Sequence, residues 1–155
     1  MTVATRYKAG AFRTIRGATS GETSPLRIRL SDGDITHGWR IVGFDVSSRT
    51  ATNTDDEVVG KICTEERAGT TAAGWAWDSN VEIAWAANQV NAGNVRQETG
   101  SYWDEDTVVV DDIFLYLLDT SQTAELCNYM IRMERMKLNL NQGLTAVVAN
   151  KAQSV

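Results

Sequence analysis

The chain predicts a mainly β protein, an antiparallel β-sandwich or barrel with one short amphipathic helix at its C-terminus. Three observations carry that expectation. Apolar and polar residues alternate with period two in several short runs, those runs collect the β-branched and aromatic residues, and turn-forming residues separate them. Many short strands joined by turn-rich loops suit a sandwich or barrel. At 155 residues the chain is the size of one domain with a sizeable core. It therefore reads as a single β domain over 1–155, with 1–24 as an N-terminal arm or first strand and 140–153 as the helix.

Leu26, Ile28 and Leu30 alternate with Arg27 and Arg29, giving one apolar and one cationic face. Asp32-Gly33 follows as a turn signal, and Trp39 to Val46 is rich in β-formers, so the two runs read as a hairpin. Thr50 to Glu57 is a polar loop, Val58 to Thr64 a short strand, and Glu65 to Gly74 another loop. Trp75-Ala76-Trp77 leads through a turn at Asp78-Ser79-Asn80 into a half-buried strand, with Val81, Ile83 and Trp85 on one face and Glu82, Ala84 and Ala86 on the other. Asn88 to Asp106 reads as a long polar loop.

Thr107 to Leu118 is almost continuously apolar, as in a strand buried on both faces, with Asp111-Asp112 marking a bulge or a turn between two strands. Thr123 to Leu138 carries both periods. Leu126, Met130, Met133 and Lys137 fit a helix, whereas Cys127, Tyr129, Ile131 and Met133 alternate as in a strand, and a long edge or penultimate strand is favoured. Leu140, Leu144, Val147 and Val148 lie on one face of a short helix, and Asn139 with Gln142 three positions later fits a capping box.

Cys63 and Cys127 are the only cysteines, too few for a disulfide-stapled domain, and both are expected reduced and buried. No run approaches the roughly 18 apolar residues of a membrane span, and the N-terminus lacks the apolar stretch of a secretory signal. Net charge is −5, unevenly spread. Residues 1–50 hold eight Lys/Arg against four Asp/Glu, 51–120 three against fourteen, and 121–155 four against two. Basic ends and an acidic middle suit head-to-tail subunit contact, nucleic acid at the termini, or a patchwork of solvated faces.

Catalytic signatures are missing, and the chain is read as non-enzymatic. His37 has no nucleophile motif beside it. Asp32-Gly33-Asp34 and Asp104-Glu105-Asp106 lack the ligand spacing of a calcium loop, nothing suggests zinc, and no phosphate-binding loop is present, so no metal or cofactor is expected. Five tryptophans are an excess, with Trp75, Trp77 and Trp85 around one turn. They fit a core, a subunit interface, or an aromatic platform for a glycan. Arg6, Lys8, Arg13 and Arg16 can meet phosphates, but without a nucleic-acid motif they also fit an ordinary solvated terminus.

His37 to Phe44, Trp75 to Ala86 and Asn128 to Glu134, together with the ending Leu144 to Gln153, resemble phrases of small virion proteins of environmental, particularly marine, bacterial viruses. The resemblance is to single jelly-roll capsid, minor capsid or decoration proteins and spans most of 26–153. It implies two antiparallel sheets packed face to face, with loops and both termini making subunit contacts, in a protein made in the host cytoplasm and carried in the virion. It supplies no catalytic residues. The expected function is structural, through self-assembly, with candidate contacts at Trp75, Trp77 and Trp103, the turn Asp104, Glu105 and Asp106, and the basic residues Arg6, Lys8, Arg13 and Arg16. The alternative is a carbohydrate-binding β-sandwich using the tryptophan cluster.

Overall fold

A computed structural model describes residues 8–20, 24–49, 56–67, 70–91, 96–120 and 126–152. In chain order the strands are β1 (Phe12–Thr19), β2 (Leu26–Ile28), β3 (His37–Ser48), β4 (Asp56–Cys63) and β5 (Glu82–Asn91). They continue with β6 (Arg96–Trp103), β7 (Val108–Val109), β8 (Ile113–Asp119) and β9 (Cys127–Lys137), and the chain ends in helix α1 (Leu140–Ala152). Two antiparallel sheets pack face to face as a sandwich, in the orders β1-β9-β3-β7 and β2-β8-β4-β5-β6.

The pairing is nested. β1 pairs with β9, β2 with β8, β3 with β7, and β4 with β5, while β6 adds to the outer edge beside β5. The chain therefore behaves as one long antiparallel ribbon folded over on itself, its two halves meeting from the ends inward. Most of these contacts join residues far apart in sequence, so closing the sandwich costs loop entropy before packing repays it.

Between the sheets, Phe44 and Val46 from β3 and Ile131 and Met133 from β9 meet Val58 and Ile62 from β4 and Leu115 and Leu117 from β8. Gly60 sits here because a side chain would run into Leu117, Val46 and Phe44. A second, smaller core lies on the far side of the second sheet. Val59 and Cys63 of β4 and Phe114, Tyr116 and Leu118 of β8 pack with Ala72 and Val81. The segment between β4 and β5 thus covers the outer face of that sheet, and the Tyr116 hydroxyl accepts the Arg67 N–H at 3.2 Å. This second cover is why β8 is buried on both faces, as its continuous apolar run predicts.

Several expectations change. The turn at Asp32-Gly33 forms, with Gly33 at φ +80°, but its flanking strands do not make a hairpin. β2 joins the second sheet and β3 the first. Asp112 takes the Arg27 Nε–H at 2.7 Å and the Leu30 N–H at 3.1 Å, tying that run to the start of β8. Asp32 instead accepts from Arg135 of β9 at 2.8 Å. The loop expected over 88–106 is largely a hairpin of β5 and β6. β6 is an edge strand rich in polar residues, so its sequence carries no apolar period. On β5 both faces are buried: Ile83 packs in the main core as expected, Ala84 and Ala86 join it there across a register shift, and Trp85 turns outward beneath the covering segment.

Other readings hold. Asp111-Asp112 separates two strands in different sheets, and β9 is a long penultimate strand. Neither Cys63 nor Cys127 is in a disulfide, and both are buried. The capping box closes reciprocally: Gln142 N–H donates to Asn139 Oδ1 at 2.7 Å, and Asn139 N–H donates to Gln142 Oε1 at 3.0 Å. The helix docks through Gly143, whose Cα lies so close to the Ile35 carbonyl that no side chain fits. Its apolar stripe Leu140, Leu144 and Val148 faces solvent instead of the core. Among the described residues no helix is long and apolar enough to cross a membrane.

Candidate functional site

The outer face of the second sheet carries one continuous row of neighbours. Lys61 on β4 lies opposite Trp85 on β5, and Trp85 opposite Tyr102 on β6. Lys61 is a cation in the otherwise apolar stretch Val58 to Cys63, buried because its charge is used locally. Its ammonium donates to the Gly74 carbonyl at 2.7 Å and to Glu82 Oε2 at 3.2 Å. The other Glu82 oxygen accepts the Ala76 N–H at 2.9 Å and the Trp85 indole N–H at 3.0 Å. Two buried side chains thereby pin the segment 74–76 onto the sheet.

That clamp sets Trp77 over the row. Its ring lies 5.5 Å from Tyr102 and 6.0 Å from Trp85, centroid to centroid, with interplanar angles of 57° and 60°. Trp75 meets the edge of Tyr102 at 6.5 Å. Such tilted pairs are the geometry that the ring quadrupoles favour. Trp77 is 64% exposed and Tyr102 51% exposed, whereas Trp85 is buried beneath them. A groove of about 500 Å³ opens beside Trp77, bounded by Asn80, Glu82, Tyr102, Trp103 and Asp104 among others, and no cation lines it.

Trp103 turns its body toward the main core and its indole N–H to Glu105 at 3.1 Å. Asp104 folds the acidic turn on itself, accepting the Asp106 N–H at 2.9 Å and the Thr107 hydroxyl at 2.6 Å. The carboxylates are occupied in shaping a turn, the ordinary role of Asp there. Among the described residues no three His, Cys, Asp or Glu gather as metal ligands.

The opposite outer face, on the first sheet, is richer in arginine, with one exposed carboxylate, Asp45, in its groove accepting the Ser101 hydroxyl at 3.0 Å. Arg16 on β1, Arg132 on β9 and Arg49 just after β3 are all exposed there, with Phe12 and Met130 between them. The Arg132 guanidinium sits 4.6 Å above the Phe12 ring. Arg40 is neutralised by Glu134 at 2.6 Å, a bond that raises the arginine pKa further. A groove of about 590 Å³ runs between Arg16, Arg49 and Met130.

The sequence-level candidates are therefore divided. Trp77, Trp103 and Asp104 line the aromatic groove, Trp75 stands against Tyr102 and Glu105 accepts the Trp103 N–H, whereas Asp106 lines a separate groove with the start of α1. Arg16 belongs to the cationic face, and Lys8 is exposed ahead of β1. Arg13 shares the inward side of β1 with Ile15 and is half-buried. Arg6 lies outside the described residues. Tyr102, Arg49, Arg132 and the Lys61–Glu82 clamp escape sequence reading. A lysine amid Val58, Val59, Ile62 and Cys63 is the one visible signal, because a cation in such a run needs a buried partner.

His37 is structural, its Nδ1 3.0 Å from Asp34 Oδ2 in the turn before β3. The Thr36 hydroxyl and N–H hold the Asp34 carboxyl well below its ordinary range, at about 2, with His37 adding to the effect. Burial pushes the Cys63 thiol up to about 12 despite the opposing charge of Lys61. Comparison with known protein families, curated proteins and solved structures finds no match to this chain.

Proposed function

We propose that this chain is a structural subunit of a virus particle, a small capsid, minor capsid or decoration protein that works by assembling with copies of itself and with other virion proteins. One observation carries the reading: the nested strand pairing. With β6 set aside as an edge addition, the orders become β1-β9-β3-β7 and β2-β8-β4-β5. We read this as a jelly roll, two interlocked Greek keys, the architecture used by many viral capsid domains. Fold-level analogy alone does not assign function. Support beyond the fold comes from two opposite outer faces of unlike charge and from the exposed apolar residues Phe12, Trp77, Met130 and Leu144. Exposed aromatic and apolar groups rimmed by charge suit contact between subunits.

A second reading has its own observation. Jelly rolls also serve as lectins, and the exposed rings of Trp77 and Tyr102 offer faces on which a sugar can stack. The two are separated by electron microscopy of the purified protein and by titration with a broad glycan panel. Rings, shells or tubes of uniform geometry support the structural reading. Dispersed single particles together with saturable, Trp77-dependent quenching by a glycan would replace it with the lectin-like one.

A further inference from the structure

We propose that the aromatic groove of one copy receives the arginine-bearing face of a second copy, joining subunits head to tail. This deepens the assembly reading and rests on it. The two surfaces lie on opposite sides of the sandwich, one outside β5 and β6, the other outside β1, β9 and β3. They are therefore sterically free to meet between copies. Contacts of this heterologous kind close into rings or continue as arrays, according to the rotation between neighbours.

Charge selects the partner. Asp104 lines the groove, Asp78 follows Trp77 in the chain and Glu105 follows Asp104. Of the cations near them, Lys61 is buried and bound to Glu82, and Arg40, which feels Glu105 and Asp106, is bound to Glu134. Arg16 and Arg49 are exposed and make no hydrogen bond or ion pair among the described residues. Guanidinium groups stack on indole and phenol faces, and Trp, Tyr and Arg are the residues that dominate interface energetics. Exposed Met130 beside the arginines supplies an adaptable apolar floor for the Trp77 ring.

Rigidity favours the same contact. The Lys61–Glu82 clamp orders 74–76 before any partner arrives, so little further entropy is lost on docking. An unclamped exposed tryptophan would carry that cost.

The test uses two charge-reversed forms of the full chain, Arg16→Glu/Arg49→Glu and Asp78→Arg/Glu105→Arg. All four side chains are exposed, and the one bond among them that is lost, Trp103 N–H to Glu105, is itself exposed, so circular dichroism of each form should match the wild type. Each form alone presents like charges on both faces and is expected to sediment as a monomer where the wild type assembles. Mixed in equal amounts they are expected to co-assemble, and Trp77→Ala to weaken wild-type assembly at least tenfold. Forms that assemble alone like the wild type, or a mixture that stays monomeric, would overturn this contact and leave the assembly reading standing. A wild type that never assembles would overturn both. Saturable binding of a neutral glycan that Trp77→Ala abolishes, with assembly unchanged, would assign the groove to sugar.

Discussion

Lys61 and Glu82 form a buried ion pair, 3.2 Å from ammonium to carboxylate, directly beneath the most exposed tryptophan of the clustered group. The pair joins the sheet to the segment that covers it. Removing Lys61 leaves the Glu82 carboxylate with no counter-charge, held only by the Ala76 and Trp85 N–H groups, in a place water hardly reaches. Lys61→Met is expected to cost about 3–5 kcal/mol of stability by that mechanism. It should also loosen the covering segment at Gly74, uncover Trp85 and red-shift the tryptophan emission. Urea unfolding followed by fluorescence checks both, and a loss below about 1 kcal/mol would mean that the pair is a surface-like contact.

Gly143 is the docking point of the terminal helix, since an added methyl group would overlap the Ile35 carbonyl. Gly143→Ala should raise intrinsic helix propensity by roughly 1 kcal/mol and still weaken the docked state. The expected result is faster proteolysis after residue 138 with an unchanged melting temperature for the sandwich. Equal cleavage rates in the two proteins would show that α1 tolerates the methyl group.

Asp34 supplies a pH dependence. Its carboxyl is held at about 2, against an ordinary 3.8, first by the Thr36 hydroxyl, then by the Thr36 N–H and His37. A folded pKa below the unfolded one gives stability that is present above the unfolded value and fades as pH falls toward 2. Asp34→Asn should therefore narrow the drop in melting temperature between about pH 5 and pH 2. Identical acid profiles for the two proteins would remove Asp34 from the account.

Both thiols should be silent in the native protein. Burial raises Cys63 to about 12, and Cys127 is also buried. The thiolate is the reactive form, so neither should react with a disulfide reagent at pH 8 until the protein unfolds. Fast labelling of either cysteine under native conditions would contradict the packing described here.

The strands from 26 onward were legible where an apolar run had one clear period or none at all, as in β3, β4 and β8, whereas β9 carried a helical period beside its alternation. Residues 88–106 were not, because β6 is an edge strand whose polar side chains mimic a loop. Trp85 faces the opposite side from the one its alternation suggests. The Ala84 and Ala86 side chains are small enough to pack in the main core, while the covering segment buries the outer face as well. That segment also explains the site: Trp75 and Trp77 were visible as a cluster, but their neighbour Tyr102 arrives from β6 through a pairing invisible to local pattern. The apolar stripe of α1 read correctly as amphipathic, yet it faces outward, because Gly143 rather than the leucines makes the close approach.

Sedimentation velocity of the purified full chain across a wide concentration range tests the central claim most directly. The account predicts discrete larger species that grow with concentration and dissociate as salt screens the contact between unlike faces. A single monomeric boundary at every concentration and at low salt would contradict it.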